Sequence, residues 1–449
     1  MNTRDETCDV VVVGAGMAGL MAATTLKDRA DVMVLEANDR PGGRVESVRH
    51  GDYWINVGTQ FTEGTGTLID ALDRHEIGRG TLAGKKVGLD LNGGLVDTAN
   101  PLALMFRTRM SWAERFGMAV MGARIIGAAA GLDPRLERTK VGRWARATLD
   151  RRAASFAVRG VRSEVPNAML RSWTGQWMGC DPDETAATQF VASMSVALAD
   201  PGTVPNFSLP DGGNQTLTDV LADDLGDRLR LGADVRAVES TGPDGDVVVH
   251  YTDATGPVRV TARRAIVAVP ADVATSIVAG LPDRYRQAFG DIGYGRYVVV
   301  GYFTEEQGAQ WWDDFYAVST PLLEFQAVFN HAAAIRDGAR RPGGALACFA
   351  GGGKADALLE RSDDEIIELF SRDLVTVLPE LRGKLGTPVV RRHHRVVPYW
   401  APGARDSVAT LRQPLGSIHF AGDYLLDMPS LADAAESGEQ AATAVLESL

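Results

Sequence analysis

Three glycines and one acid near the amino terminus carry the chemistry most easily read from this chain. Gly14, Gly16 and Gly19 stand in G-x-G-x-x-G spacing directly after a mostly apolar run, Cys8 to Val13. That run suits a parallel strand buried on both faces. The first glycine permits a tight turn, the second lets a pyrophosphate approach the backbone, and the third lets helix pack on strand. Met17 to Lys27 then reads as a helix whose free N–H groups and positive dipole end would meet phosphates. A second strand, Val32 to Leu35, ends at Glu36, about 20 residues past the turn, where a carboxylate would bind ribose hydroxyls. The glycine pattern alone is weak; strand, turn, helix, strand and terminal acid together specify a dinucleotide site.

The residues directly after Glu36 separate one dinucleotide from another. Ala37-Asn38-Asp39-Arg40-Pro41-Gly42-Gly43-Arg44 places two arginines and a diglycine beyond the acid. This resembles the E-x-x-x-R-x-G-G-R segment of the FAD enzymes related to monoamine oxidase, polyamine oxidase, protoporphyrinogen oxidase and phytoene desaturase. The resemblance implies FAD as cofactor, with the diglycine loop beside the flavin and its arginines, Arg40 and Arg44, the candidates to contact the phosphates. Gly58-Thr59-Gln60-Phe61-Thr62-Glu63-Gly64 looks like the loop that passes the flavin's reactive side in that family. Gly58 and Gly64 are candidate close-approach positions. Carried over from plant polyamine oxidases, Glu63 is the residue that would hold or deprotonate a substrate nitrogen; a solvated loop acid is the plainer reading beside it.

Other matches to the family lie further along. Leu209 to Leu217 resembles its P-x-G-G-x-x-x-L turn, and at the position of Val235 relatives bond the adenine through the backbone. Val397-Pro398-Tyr399-Trp400-Ala401-Pro402-Gly403 resembles the P-x-(aromatic)-x-P-G stretch of protoporphyrinogen oxidases and carotenoid desaturases, which makes Trp400 a candidate wall of the flavin face. Ile418 to Asp423 resembles the strand ending in Gly422-Asp423, where the acid binds the ribityl chain. The helix opening at Ser430-Leu431 would point its N-terminus at the flavin pyrimidine oxygen and stabilise charge there.

The elements that must position these residues are set by length and pattern. The 449 residues can bury a large core in two domains. The expected fold is α/β, a doubly wound Rossmann-like FAD domain (1–67, 205–285, 388–449) interleaved with a mixed α+β substrate domain (68–204, 286–387). Helical spacing is read over Trp112–Ala130, Lys140–Phe156 and Glu184–Leu198. Phe116–Ala130 is apolar enough to touch a membrane, but with no basic face read beside it a buried helix is expected. Trp173, Trp177 and Met178 line a substrate cavity or belong to the core. A polar hairpin is expected at 242–245, and a strand at Val298–Phe303.

Composition sets the class. Hydrophobic content of 45% and charged content of 23% are ordinary for a soluble globular protein, and the net charge is −12. Arg391 to Arg395 is the densest basic run and reads as a solvated face or pyrophosphate neighbour, so no nucleic acid is expected. Cys8, Cys180 and Cys348 match no metal spacing; no metal and a reduced, cytoplasmic setting are expected. No signal peptide or spanning helix is read.

Three departures from amine oxidases bear on function. No lysine occurs between Lys140 and Lys354, so the lysine that many relatives place near flavin N5 is absent, with Arg296 or Tyr297 nearest. No cysteine lies near Trp400, so the resemblance implies non-covalent FAD. Ser430 stands where the amine-cage tyrosine would be. The expected reaction is hydride removal from a carbon next to nitrogen, giving an imine or iminium, with O2 reoxidising the flavin. A carbon–carbon desaturase or porphyrinogen-type oxidase, a biosynthetic oxidase whose iminium drives cyclisation, and a flavin-holding protein without turnover stand as alternatives. Dimerisation is common among relatives, so a homodimer is the assembly the resemblance allows.

Overall fold

The computed structural model describes residues 3–63, 66–99, 106–199, 203–242, 245–336, 341–426 and 428–449, with only the backbone at Glu63 and 196–199. Gly64 and the hairpin residues Pro243 and Asp244 lie outside the described residues.

The first strand, β1 (Arg4–Val13), leads into α1 (Met17–Leu26) and β2 (Val32–Leu35). Val10 to Val13 are at most 2% exposed, as a strand covered on both faces requires. β1 pairs in parallel with β2 on one side and with Gly256–Val267 on the other; Ile418–Phe420 continues the parallel set beside Val267. Leu229–Arg230 pairs with β2, while Val247–Asp253 and Asp234–Ser240 add antiparallel strands. Leu229–Arg230 and Asp234–Ser240 are thus separate strands. Gly232 between them has φ +68°, a left-handed conformation that breaks the strand.

The C-terminal helix, Leu431–Ser448, lies directly on α1: a Cβ built at Gly438 would be 2.1 Å from the Ala18 carbonyl oxygen. Small residues on both helices allow backbone to approach backbone, and this seats the start of each helix against the sheet.

A second seven-stranded sheet runs Leu385–His393, Tyr297–Thr304, Gly344–Gly351, Ala327–Asn330, Phe315–Ser319, Lys86–Leu91 and Gly94–Asp97. Four helices stand beside it: Trp112–Gly131, Lys140–Asp150, Glu164–Met178 and Ala187–Ala199. Ser111 and Glu114 form a capping box at the first of these. The helix expected to continue from Lys140 to Phe156 stops at Asp150. There Ala153 bridges Ala186 and the Ala154 N–H donates to the Thr185 carbonyl (3.0 Å), so the backbone leaves the helical path.

The expectation of a buried helix at Phe116–Ala130 is corrected. Only Gly117, Met121, Ile125 and Ala128 are buried, one stripe at three- and four-residue spacing, and Trp112 and Phe116 are 80% and 71% exposed. Among the described residues no helix is long and apolar enough to cross a membrane, and no group of side chains could hold a metal.

Candidate active site

One cavity of about 930 Å3 joins the ends of the parallel strands to the second sheet and the helices. Its wall changes character along its length.

At the strand ends the wall is largely main chain. Gly14 has φ +97°, and a Cβ there would sit 2.7 Å from the Ala268 carbonyl oxygen. A Cβ at Gly16 would meet nothing within 4 Å, because this residue faces the open cavity. α1 begins at Gly16 with no side-chain cap and no acid in its first turn, so its first N–H groups are available to an anion. Gly19 does not line the cavity: its Cβ would lie 1.9 Å from the Gly14 carbonyl oxygen, so it fits the turn to the helix.

Glu36 is 6% exposed and fixed at the lip of the turn. One carboxylate oxygen accepts from the Ala15 N–H (2.8 Å), the other from the Asn38 N–H (2.9 Å). Ala37 beside it, Gly43 across the turn, and Val235 of the strand Asp234–Ser240 also line the cavity. Arg40 does not. Its guanidinium donates to the carbonyls of Pro41, Val45 and Gly43 (3.1, 3.0 and 2.8 Å), clamping the diglycine loop from behind. The expectation that it meets a phosphate is corrected to a loop-shaping role.

Arg44 does line the cavity. It donates to the buried Asp423 carboxylate (2.8 Å) and to the Val396 carbonyl, linking the diglycine loop to the Gly422-Asp423 strand end. Gly58, Thr59 and Gln60 form the next part of the wall; a Cβ at Gly58 would be 2.1 Å from the Arg44 carbonyl oxygen. Ser430 caps the C-terminal helix by accepting from the Asp433 N–H (3.1 Å), and with Leu431 it brings that helix start to the cavity.

Two buried polar atoms on this wall, Gln60 Oε1 and the Tyr424 hydroxyl, have no hydrogen-bond partner among the described residues. Such groups cost free energy unless a bound group satisfies them. Together with the open Gly16 and the uncapped α1, they fit a dinucleotide.

Trp400 is not on the wall. It is 2% exposed in the core, donating through its indole N–H to the Tyr424 carbonyl (3.2 Å), so it supports Tyr424, which does line the cavity. The expectation that it faces the flavin is corrected accordingly. Glu63 is seen only in its backbone, where Thr62–Glu63 pairs with Ser208 and Phe207.

The remaining wall is side chains. Trp173, Trp177 and Met178 all line it, and Phe61 stacks on Phe207 at 4.2 Å while meeting Trp177 edge-on at 6.2 Å. Every charged side chain lining the cavity among the described residues belongs to the strand-end part, and no lysine lines it. Arg296, at the head of its strand, turns away into Asp356 (2.8 Å, bidentate) and Glu184 (3.0 Å). Tyr297 takes the cavity side instead, donating to the Gln176 carbonyl (2.6 Å), and burial pushes its phenol well above the ordinary range. His393 was read only as part of a basic run; it lines the cavity at 2.8 Å from the Val57 carbonyl, and burial lowers its pKa. Successive residues of a strand point to opposite faces, so with Arg296 turned outward Tyr297 faces the cavity.

A model of the flavin containing amine oxidoreductases matches residues 126–446, and a model of the NAD(P)-binding Rossmann-like domain matches residues 12–74. A probable flavin-containing monoamine oxidase A of Dictyostelium discoideum is 46% identical over 65 residues, 14% of either chain. Protoporphyrinogen oxidase 2 of Arabidopsis thaliana is 29% identical over 180 residues, 39% of this chain and 33% of that one. These matches thus span a third or less of the two curated relatives. The solved structure of wild-type putrescine oxidase bound to putrescine superposes with a TM-score of 0.78 at 21% identity, covering 99% of this chain and 100% of that one. At that identity it shows the shared α/β fold. The chain belongs to the flavin containing amine oxidoreductase family, and its cofactor is FAD.

Proposed function

We propose that this protein removes a hydride from a carbon next to nitrogen in an apolar amine- or amide-type small molecule, giving an imine or iminium, with O2 as the final electron acceptor. The observation that carries this reading is the cavity itself: an aromatic and aliphatic chamber without charged side chains among its described residues, opening onto the glycine-built dinucleotide wall. When bound, FAD supplies the two-electron acceptor.

The residues then have defined tasks. Gly14, Gly16 and α1 receive the pyrophosphate, Glu36 the ribose, Val235 the adenine, and Asp423, held by Arg44, the ribityl chain. The chamber excludes water and takes the nitrogen in its neutral form, since no described carboxylate there would favour an ammonium ion. A neutral nitrogen keeps the lone pair that forms the C=N bond as hydride leaves. Glu63 orients the nitrogen or accepts its proton; an unchanged rate of flavin reduction in Glu63→Gln would remove that role.

A second reading, carbon–carbon desaturation of a porphyrinogen or polyene, is favoured by the same lack of charge and by the likeness to the Arabidopsis protein. Anaerobic bleaching of the flavin absorbance against apolar amines, amides, porphyrinogens and polyenes separates the two. Bleaching by a nitrogen compound, then peroxide on admitting O2, is the expected result. Bleaching only by a porphyrinogen or polyene would move the protein to the second reading, and no bleaching by any of them would overturn both.

A further inference from the structure

We propose that the helical face built by residues 106–162 docks on an anionic phospholipid bilayer. The helix Trp112–Gly131 is apolar on both sides. Inward, Met118, Gly122 and Ile125 line the central cavity. Outward, its exposed positions are Trp112, Ala113, Phe116, Ala119, Ala123, Ile126, Gly127 and Ala130, with no charged residue among them. Its three charged side chains, Glu114, Arg115 and Arg124, are all only partly exposed. A helix apolar all round belongs in a core or against lipid, and this one has solvent on one side.

The patch does not end with one helix. Arg115 lies over the rings of Trp112 (5.6 Å) and Phe106 (6.0 Å), holding both beside each other, and Phe106 is 66% exposed. Val141 and Trp144 of the next helix add 67% and 70% exposed apolar groups. Monomeric proteins rarely leave so many large aromatic side chains exposed on one pair of helices without an occupant.

Charge selects the occupant. Residues 106–162 hold thirteen Lys and Arg against four Asp and Glu, a net of +9 within a chain whose net charge is −12. Within the helix itself Arg115 and Arg124 are the only basic residues and make no basic face, which is why the sequence reading favours a buried helix over membrane contact. The fold supplies more from the neighbouring segments, including Arg107, Arg109, Arg138, Lys140 and Arg143, all exposed. Between the two helices runs a groove of about 910 Å3 with an apolar floor of Trp144, Leu149 and Phe156. Arg124, Arg152 and Arg159 line it, and no acidic side chain does among the described residues. Arg124 donates to the carbonyls of Phe156, Ala157 and Arg159 (3.4, 3.2 and 2.8 Å) and shapes the groove, while an apolar floor beside the guanidiniums of Arg152 and Arg159 suits a lipid phosphate and the chain below it. Aromatic burial plus a polybasic surface provides the two signals that stable peripheral attachment needs. Ile126 is 62% exposed and also lines the central cavity, so the cavity reaches the surface on this face. An apolar substrate leaving the bilayer would enter there; this last step alone rests on the proposed substrate class.

Flotation of the FAD-loaded protein with phosphatidylglycerol-rich vesicles, compared with pure phosphatidylcholine, tests the proposal. The protein should float with the anionic vesicles and be released by high salt. Trp112→Ser with Phe116→Ser should lower partition by roughly tenfold or more, and Arg143→Glu by roughly fivefold or more. Flavin absorbance and thermal midpoint should not change, since none of these side chains lines the central cavity. Failure to float, equal partition into neutral vesicles, or flotation unaffected by the double substitution would overturn it. A dimer that the double substitution dissociates, without vesicle binding, would assign the face to a second copy instead.

Discussion

In the cofactor part of the cavity much of the wall is backbone: Gly14, Gly16, Gly43 and Gly58 bring main chain to the surface, and Glu36, Arg44 and Asp423 are fixed there by hydrogen bonds. In the substrate part the wall is side chains: Phe61, Trp173, Trp177 and Phe207 fill space, with neutral hydrogen-bonding groups behind them. A ligand held by N–H groups and a dipole constrains residue type at each position, because a Cβ in the wrong place blocks it. A ligand held by apolar contact constrains only volume, which many residue combinations supply. Substitutions in the first part should therefore abolish binding, and those in the second should grade it.

The largest effect is expected at Gly19. A Cβ there would overlap the Gly14 carbonyl oxygen at 1.9 Å, so Gly19→Val must push α1 off the turn. The purified protein should be colourless, with FAD affinity reduced by at least about 100-fold (roughly 3 kcal/mol) in calorimetry. A yellow Gly19→Val protein with ordinary affinity would mean that the turn is not what selects the cofactor.

Next is the pair joining the two ends of the chain. Arg44→Met leaves the Asp423 carboxylate buried without its partner and should cost about 3–5 kcal/mol in urea unfolding of the holoprotein. Asp423→Asn in the same chain should recover a large part of that stability but not FAD affinity. Equal losses in the single and double variants would show that the pair is not coupled.

These residues were also the legible ones. Glycine spacing, Glu36 and Gly422-Asp423 are readable because backbone geometry leaves few residue types to choose from. The same logic misplaced Arg40, whose type matches the motif while its guanidinium is consumed by three carbonyls of its own loop, and Trp400, an aromatic that packs behind the wall. Sequence alone does not say which way a side chain turns from a correctly placed backbone. The substrate part was hardly readable: Phe61 and Phe207 stack from segments nearly 150 positions apart, and their pairing is set by the strand register of Thr62–Glu63 with Phe207–Pro210. The exposed helix was misjudged for a related reason, since its basic neighbours are not on it.

Acid should act on both parts through buried histidines. Burial lowers His331 to about 3 and His419 to about 4, from an ordinary 6.5, and lowers His393 as well. The unfolded chain then binds more protons than the folded one below pH 6.5, so stability falls as pH drops through that value. For His419 the loss levels off near 4, for His331 near 3. Burial raises Asp90 and Asp150, which act in the opposite sense. At pH 5 the two most shifted histidines should each cost about 2 kcal/mol. Urea unfolding at pH 7.5 and 5 measures the sum. His331→Gln, beneath Tyr316 of the substrate part, should remove about half of it while leaving flavin content unchanged.

Trp177→Ala probes the substrate part directly. It should lower kcat/KM for a bleaching amine by roughly tenfold, about 1.4 kcal/mol, mostly through KM, at unchanged flavin content. A loss of flavin would mean that the two parts do not divide the work as their walls suggest.

The smallest effect sharpens the comparison most, because it uses the same residue type. Gly127 lies within the helix Trp112–Gly131, is exposed, and a Cβ there would meet nothing within 4 Å. Its glycine answers to no turn and no close approach, only to the lower entropy cost that alanine would bring to a helix interior. Gly127→Ala should therefore stabilise the protein by about 0.5–1 kcal/mol in urea unfolding, with flavin content and turnover unchanged. The identical replacement at Gly58 would set a Cβ 2.1 Å from the Arg44 carbonyl oxygen and should release the cofactor. If Gly127→Ala destabilised instead, the outer face of that helix would be packed against something in solution, and its exposure in the isolated chain would not describe the working protein.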